Sequence, residues 1–178
     1  MPKKLPTIGL SALFLLLSGP PANPCGDKLL ILGSGVRFQL NTAEYPALIL
    51  LYMKGTTPGS TAVGDSKLQS FLRQAGHRLQ SATSEQEVAE ALKTGRYDLV
   101  LADFADAPAL EQMVAAASSQ PFLLPFIFKG TKAELSEAKR RYRCVLKAPI
   151  KPPYFLATLD KAMELKQSRV KSLRPTAE

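Results

Sequence analysis

Side chains able to do chemistry are few in this sequence. Two cysteines, Cys25 and Cys144, and one histidine, His77, are its whole supply of thiol and imidazole. A zinc site of Cys and His, a CxxC redox pair and a c-type haem motif therefore all lack ligands. The cysteines either close one disulfide across a very long loop, worth about 4 to 5 kcal/mol in the chain-entropy model, or remain thiols, with Cys144 packing as a small apolar strand residue. His77 follows Gly76 with no acidic or hydroxyl neighbour in sequence, and reads as structural rather than catalytic. Hydroxyls gather between Gly55 and Gly64 (TTPGSTAV), a stretch that reads as a flexible loop or, alternatively, as an anion cradle. Gly33-Ser34-Gly35 begins like a dinucleotide-binding turn, but lacks a third glycine and a following helical pattern, so it reads as a plain turn.

Composition bounds the scaffold that must hold these groups. With 178 residues, 46% hydrophobic and 21% charged, the chain suits one soluble domain with a core of ordinary size. Its 14 prolines and 11 glycines follow no period, which excludes a coiled coil or a repeat array.

The first residues run Lys3-Lys4, an apolar stretch Ile8 to Leu17, then Ser18-Gly19-Pro20-Pro21-Ala22, the order of a secretory signal. The stretch is too short to span a bilayer. The expected organisation is a signal peptide over 1–22, an extension with a short strand (Lys28 to Leu32) over 23–45, a domain over 46–166 and a basic tail over 167–178. Localisation is expected to be periplasmic or secreted. Ala22-Asn23-Pro24 does not suit lipidation, so no lipid anchor is expected at Cys25. Cleavage would remove two lysines and lower the formal charge from +8 to +6. The remaining basic residues cluster in Lys139-Arg140-Arg141, Arg143 and Lys166 to Arg174, with no aromatic stacking platform interleaved, so nucleic acid is not an expected partner.

From Pro46 onward short apolar runs alternate with helical stripes. Ala47 to Met53 reads as a strand buried on both faces. Leu68, Phe71, Leu72 and Ala75 mark a helix capped by Asp65 or Ser66 and stopped by Gly76. Strand Arg78 to Ala82 follows, then a helix opened by the Ser84/Glu87 capping box, strand Tyr97 to Phe104, and the stripe Leu110, Met113, Val114, Ala117. Strand Pro121 to Phe128, a helix opened by Thr131/Glu134, strand Arg143 to Lys147 and a last helix from Pro152 or Pro153 complete the series. Asp106 reads as a helix cap before Pro108. Five strand–helix units with short connections require right-handed crossovers and a parallel sheet covered on both faces, a doubly wound α/β fold.

Over residues 46 to 166 the chain resembles a response-regulator receiver domain, the flavodoxin-like fold of two-component signalling. The strongest stretches are GHRLQSATSEQEVAEALKTGRYDLVLADF and, near the end, LKAPIKP. The resemblance implies strand order 2-1-3-4-5. It also implies a pocket of two acids after strand one, an acceptor aspartate after strand three, a hydroxyl after strand four and a lysine after strand five, with magnesium held during phosphoryl transfer. Asp103 matches the acceptor and Lys147 the lysine. The first strand ends Leu51-Tyr52-Met53-Lys54, with no carboxylate before Asp65. The fourth ends Phe126-Ile127-Phe128, and Thr131, the next hydroxyl, is a helix cap. The chain therefore reads as a degenerate pseudo-receiver without magnesium or another cofactor, in which Asp103 and Lys147 form an ion pair at the mouth of the sheet.

The expected function is an exported, non-enzymatic interaction module. It would bind a protein partner through the helix over 131–142, the following strand and the last helix. Lys139, Arg140, Arg141 and Arg143 favour an acidic partner. The alternatives are a working phosphorelay receiver, with Asp103 phosphorylated in the presence of magnesium, and a small-ligand module at the carboxyl ends of the strands.

Overall fold

The computed structural model describes residues 42–55 and 57–173. The signal peptide, the strand Lys28 to Leu32, the Gly33–Gly35 turn and Cys25 lie outside them. The elements are β1 (Leu48–Tyr52), α1 (Pro58–Val63), α2 (Ser66–Gln74), β2 (Arg78–Ala82), α3 (Glu85–Thr94), β3 (Leu99–Asp103), α4 (Ala107–Ala116), β4 (Phe122–Phe128), α5 (Lys132–Arg141), β5 (Leu146–Ala148) and α6 (Pro152–Leu173). All five strands pair in parallel in the order β2-β1-β3-β4-β5, as the alternating pattern requires. A doubly wound parallel sheet needs helices on both faces, and the odd-even alternation along each strand shows where they lie. Ile49, Leu51, Leu99, Leu101, Leu124 and Phe126 pack with Val63, Leu72, Phe155 and Leu159 from α1, α2 and α6. Leu50, Tyr52, Val100 and Ala102 pack with Val88, Leu92, Leu110 and Val114 from α3 and α4.

Local signals set most boundaries. Asp65 Oδ1 accepts from Lys67 N and Leu68 N to open α2, and Gly76 takes the left-handed φ of +104° that lets the chain turn into β2. Thr131 and Glu134 form the reciprocal capping box of α5. Ser84 caps α3 through Glu87 N, while the Glu87 carboxylate takes Thr83 N rather than Ser84 N.

Three elements differ from the sequence reading. The expected loop between Gly55 and Gly64 contains helix α1, because Thr57 accepts from Ser60 N and Pro58 fits the first turn. The last strand is Leu146–Ala148 rather than Arg143 to Lys147. Pro125 has no N–H to offer, and the β4–β5 ladder begins one residue beyond it, at Phe126↔Leu146. Finally, α6 continues to Leu173, so residues 167–173 of the expected tail are helical.

Candidate functional site

The carboxyl ends of the strands carry the expected chemistry. Asp103 closes β3 on the row that pairs with Phe126 and, through it, with Leu146. This row faces α1, α2 and α6. One oxygen, Oδ1, accepts from Ala105 N at 3.0 Å. The other faces Gly59 of α1: a Cβ built on that glycine would stand 2.8 Å from Oδ2 and 2.9 Å from the Phe126 ring. Helix α1 thus lies directly on the carboxylate, at a distance only glycine permits. Partial burial pushes the Asp103 carboxyl above its usual range; the Ala105 N–H opposes the shift, and the charges of Asp106 and Glu134 add to it.

Lys147 does not reach Asp103. It pairs in register with Ile127, one residue past the Asp103 row, and its neighbours Leu146 and Ala148 are the buried ones. Alternation along β5 turns the lysine away from the face Asp103 occupies, and its side chain is exposed. The expected ion pair is therefore not formed. Lys54 instead spans the strand ends, 3.6 Å from the half-buried Asp106 and 4.0 Å from the exposed Glu85, and with the lysine itself in solvent such pairs contribute little. Asp106 occupies the N-cap position of α4 but makes no side-chain cap bond.

A hard dication at the end of β3 would need several oxygens. Asp103 turns one oxygen to Ala105 and the other to Gly59, Asp106 faces Lys54, and β1 ends without a carboxylate. Among the described residues no group of three or more His, Cys, Asp or Glu side chains could hold a metal ion. The residues present do not fit magnesium. In and beside α1 the hydroxyls are engaged locally: those of Thr57 and Ser60 pair at 2.8 Å, and Thr61 donates to Thr57 O.

Sequence reasoning missed a second cluster. Glu111 Oε1 of α4 accepts from Arg141 Nε at 3.0 Å and from Tyr142 Oη at 2.6 Å, with Arg141 Nη2 also 3.0 Å away in an ion pair. Tyr142 meets Phe104 edge-on, with ring centroids 6.1 Å apart. Burial, then the bond to Glu111, pushes the Tyr142 hydroxyl up to about 12. Its hydrogen bond and the arginine hold Glu111 below the ordinary carboxylate range. Arg141 is thus engaged across α4 and α5, whereas Lys139, Arg140 and Arg143 are exposed and make no ion pair among the described residues. The signal was present as a tyrosine continuing the α5 stripe, but its partner lies far away in sequence.

Comparison with solved structures agrees with this architecture. A signal receiver domain from Vibrio parahaemolyticus shares 8% identity, covers 74% of this chain and 100% of its own, and superposes with a TM-score of 0.53. A CheY-like response-regulator receiver domain from Methanospirillum hungatei gives 13% identity, 70% and 99% coverage and a TM-score of 0.54. NtrX from Brucella abortus gives 17% identity and a TM-score of 0.57, with 73% of this chain matched to 30% of that one. The fold is that of a receiver domain. Within it the helix numbering gains one element, since α1 and α2 together make the crossover from β1 to β2. No protein-family model matches the sequence, and no curated protein matches it. No helix among the described residues is long and apolar enough to cross a membrane.

Proposed function

We propose that this receiver-fold chain is an exported signalling module that accepts no phosphoryl group, performs no catalysis and works by binding an acidic protein partner. The observation that carries the reading is the seat of α1 on Asp103: the space an incoming phosphoryl group would occupy beside Oδ2 is filled by the backbone at Gly59. The two carboxylates that would hold magnesium are missing from the end of β1, and Lys147 faces away. With the pocket closed, what the fold still offers a partner is surface. Lys139 and Arg140 on α5 and Arg143 before β5 give that surface a positive sign.

Export rests on the charged, apolar and small-residue order of residues 1–22. An oxidising compartment would favour a Cys25–Cys144 disulfide, with Cys144 buried in the main core beside α6. Mass spectrometry of the secreted protein without reductant checks both, through the mass of the mature chain and the loss of two hydrogens on oxidation.

The binding surface is tested with the Lys139→Glu, Arg140→Glu, Arg143→Glu variant. Arg141 is left alone because its reversal would break the contact to Glu111. A partner captured by the wild type should be lost from the variant while the fold persists. Equal capture would reject the surface.

A further inference from the structure

The chain reaches β1 through a short strap, residues 42–47, laid over the α2–β2 turn and α6. Alternate N–H groups of the strap are held by acceptors of different kinds. Ala43 N donates to the Ala75 carbonyl at 2.8 Å, Tyr45 N to Asp160 Oδ1 at 3.1 Å, and Ala47 N to His77 Nδ1 at 3.2 Å. Pro46 rests on Gly76, and Ala47 O accepts from Arg78 N at 2.9 Å, so the strap feeds straight into the β1–β2 ladder.

The third acceptor is the unusual one. His77 is 2% exposed, and a ring nitrogen that accepts an N–H bond carries no proton, which places the proton of the neutral ring on Nε2. Nε2 is buried and has no hydrogen-bond partner among the described residues. The ring can therefore take a charge only by protonation at Nδ1. That event abolishes the Ala47 bond, sets two N–H groups against each other and leaves a cation buried. The elements around the ring carry Glu44 in the strap, Lys67 and Arg73 in α2, Arg78 in β2, and Asp160, Lys161 and Glu164 in the facing half of α6. Asp160 is the one whose charge bears on the ring, and it is also the anchor of Tyr45. An imidazolium drawn toward Asp160 would compete with the Tyr45 N–H for the same carboxylate, so loosening one anchor disturbs the other.

We propose that His77 is an acid-released latch: protonation at Nδ1 detaches Ala47 and frees residues 42–47, the strap through which residues 1–41 join β1. This regulation is independent of the Asp103 pocket, which lies at the opposite end of the strands, and of the partner reading above.

Burial lowers the His77 pKa below its usual 6.5, with the Asp160 charge and the polar backbone of Ala47 working against that shift. A histidine depressed in the closed state holds the strap fully above the open-state value and loses its hold as pH falls toward its own lower value.

The test uses the full chain labelled with 15N. Between about pH 7.5 and about pH 5, the protection factor of the Ala47 amide should fall by up to about tenfold per pH unit below about 6.5. The Leu101 amide in the centre of the sheet should hold its protection. His77→Asn keeps an oxygen near the Nδ1 position without a titratable proton, and its Ala47 protection should be flat over the same range. The imidazole 15N shifts of the unmodified protein give a second reading, with the proton on Nε2 at neutral pH. The proposal is overturned by a proton on Nδ1 at neutral pH, by Ala47 protection that does not change with pH, or by Ala47 and Leu101 losing protection together.

Discussion

Gly59 and Asp103 touch across the mouth of the sheet, with the Asp103 Oδ2 atom 2.8 Å from the point where any other residue at 59 would carry its Cβ. That contact makes a six-residue helix, α1, the roof of the carboxylate. It also gives the glycine a packing role, since the chain at 59 has no need of a left-handed conformation.

Gly59→Ala should be destabilising. Alanine gains up to about 1 kcal/mol of helix propensity, but overpacking costs about 1 to 3 kcal/mol, and the fully buried Phe126 ring on the other side cannot yield. A net loss of about 1 to 2 kcal/mol in urea denaturation is expected. With α1 displaced, the Asp103 carboxyl should also titrate nearer its ordinary value, as read by carboxyl 13C shifts.

Asp103→Asn should not destabilise the protein at neutral pH. A carboxyl raised by burial contributes stability that is complete below its ordinary value of 3.8 and lost as pH rises through the raised value. Asparagine removes the buried charge and keeps an oxygen for Ala105 N, so the melting temperature at pH 7 should rise by about 1 to 2 °C. The gain should vanish in acid, where Asp103 is itself protonated. A lower melting temperature at neutral pH would show that the ionised carboxylate is needed for the fold.

Tyr142 should be the last tyrosine to ionise. Ultraviolet titration should show one phenol near 12, and Glu111→Gln should move it down. Tyr142→Phe removes the hydrogen bond to Glu111 but keeps the contact with Phe104, so its cost should be about 0.5 to 1.5 kcal/mol.

The sheet was legible because its signals are local. Gly76 and the Ser84 cap bracket β2, and the strand runs over Arg78–Ala82 as the alternation requires. The parallel order follows from crossovers too long for hairpins. The pocket was legible only as a list of residue types. Asp103 stands at the end of β3 as the resemblance to receivers implies, yet its relation to Lys147 depends on the β4–β5 register, which Pro125 and the delayed start of β5 set. Helix α1 was hidden because TTPGSTAV is dense in residues that also make loops; the order threonine, proline, then serine is what reads as a cap and a first turn. Glu111 and Tyr142 lie on separate units, and nothing in the spacing of either announces the other.

The central claim is that the Asp103 pocket is closed to a phosphoryl group. The direct measurement is titration of the 15N-labelled protein with beryllofluoride and magnesium, following the amides from Asp103 to Asp106 and that of Lys147. The account predicts that these resonances stay where they are at saturating reagent. A saturable, magnesium-dependent shift centred on Asp103 would contradict it, because α1 would then have to lift from the carboxylate and admit both ions.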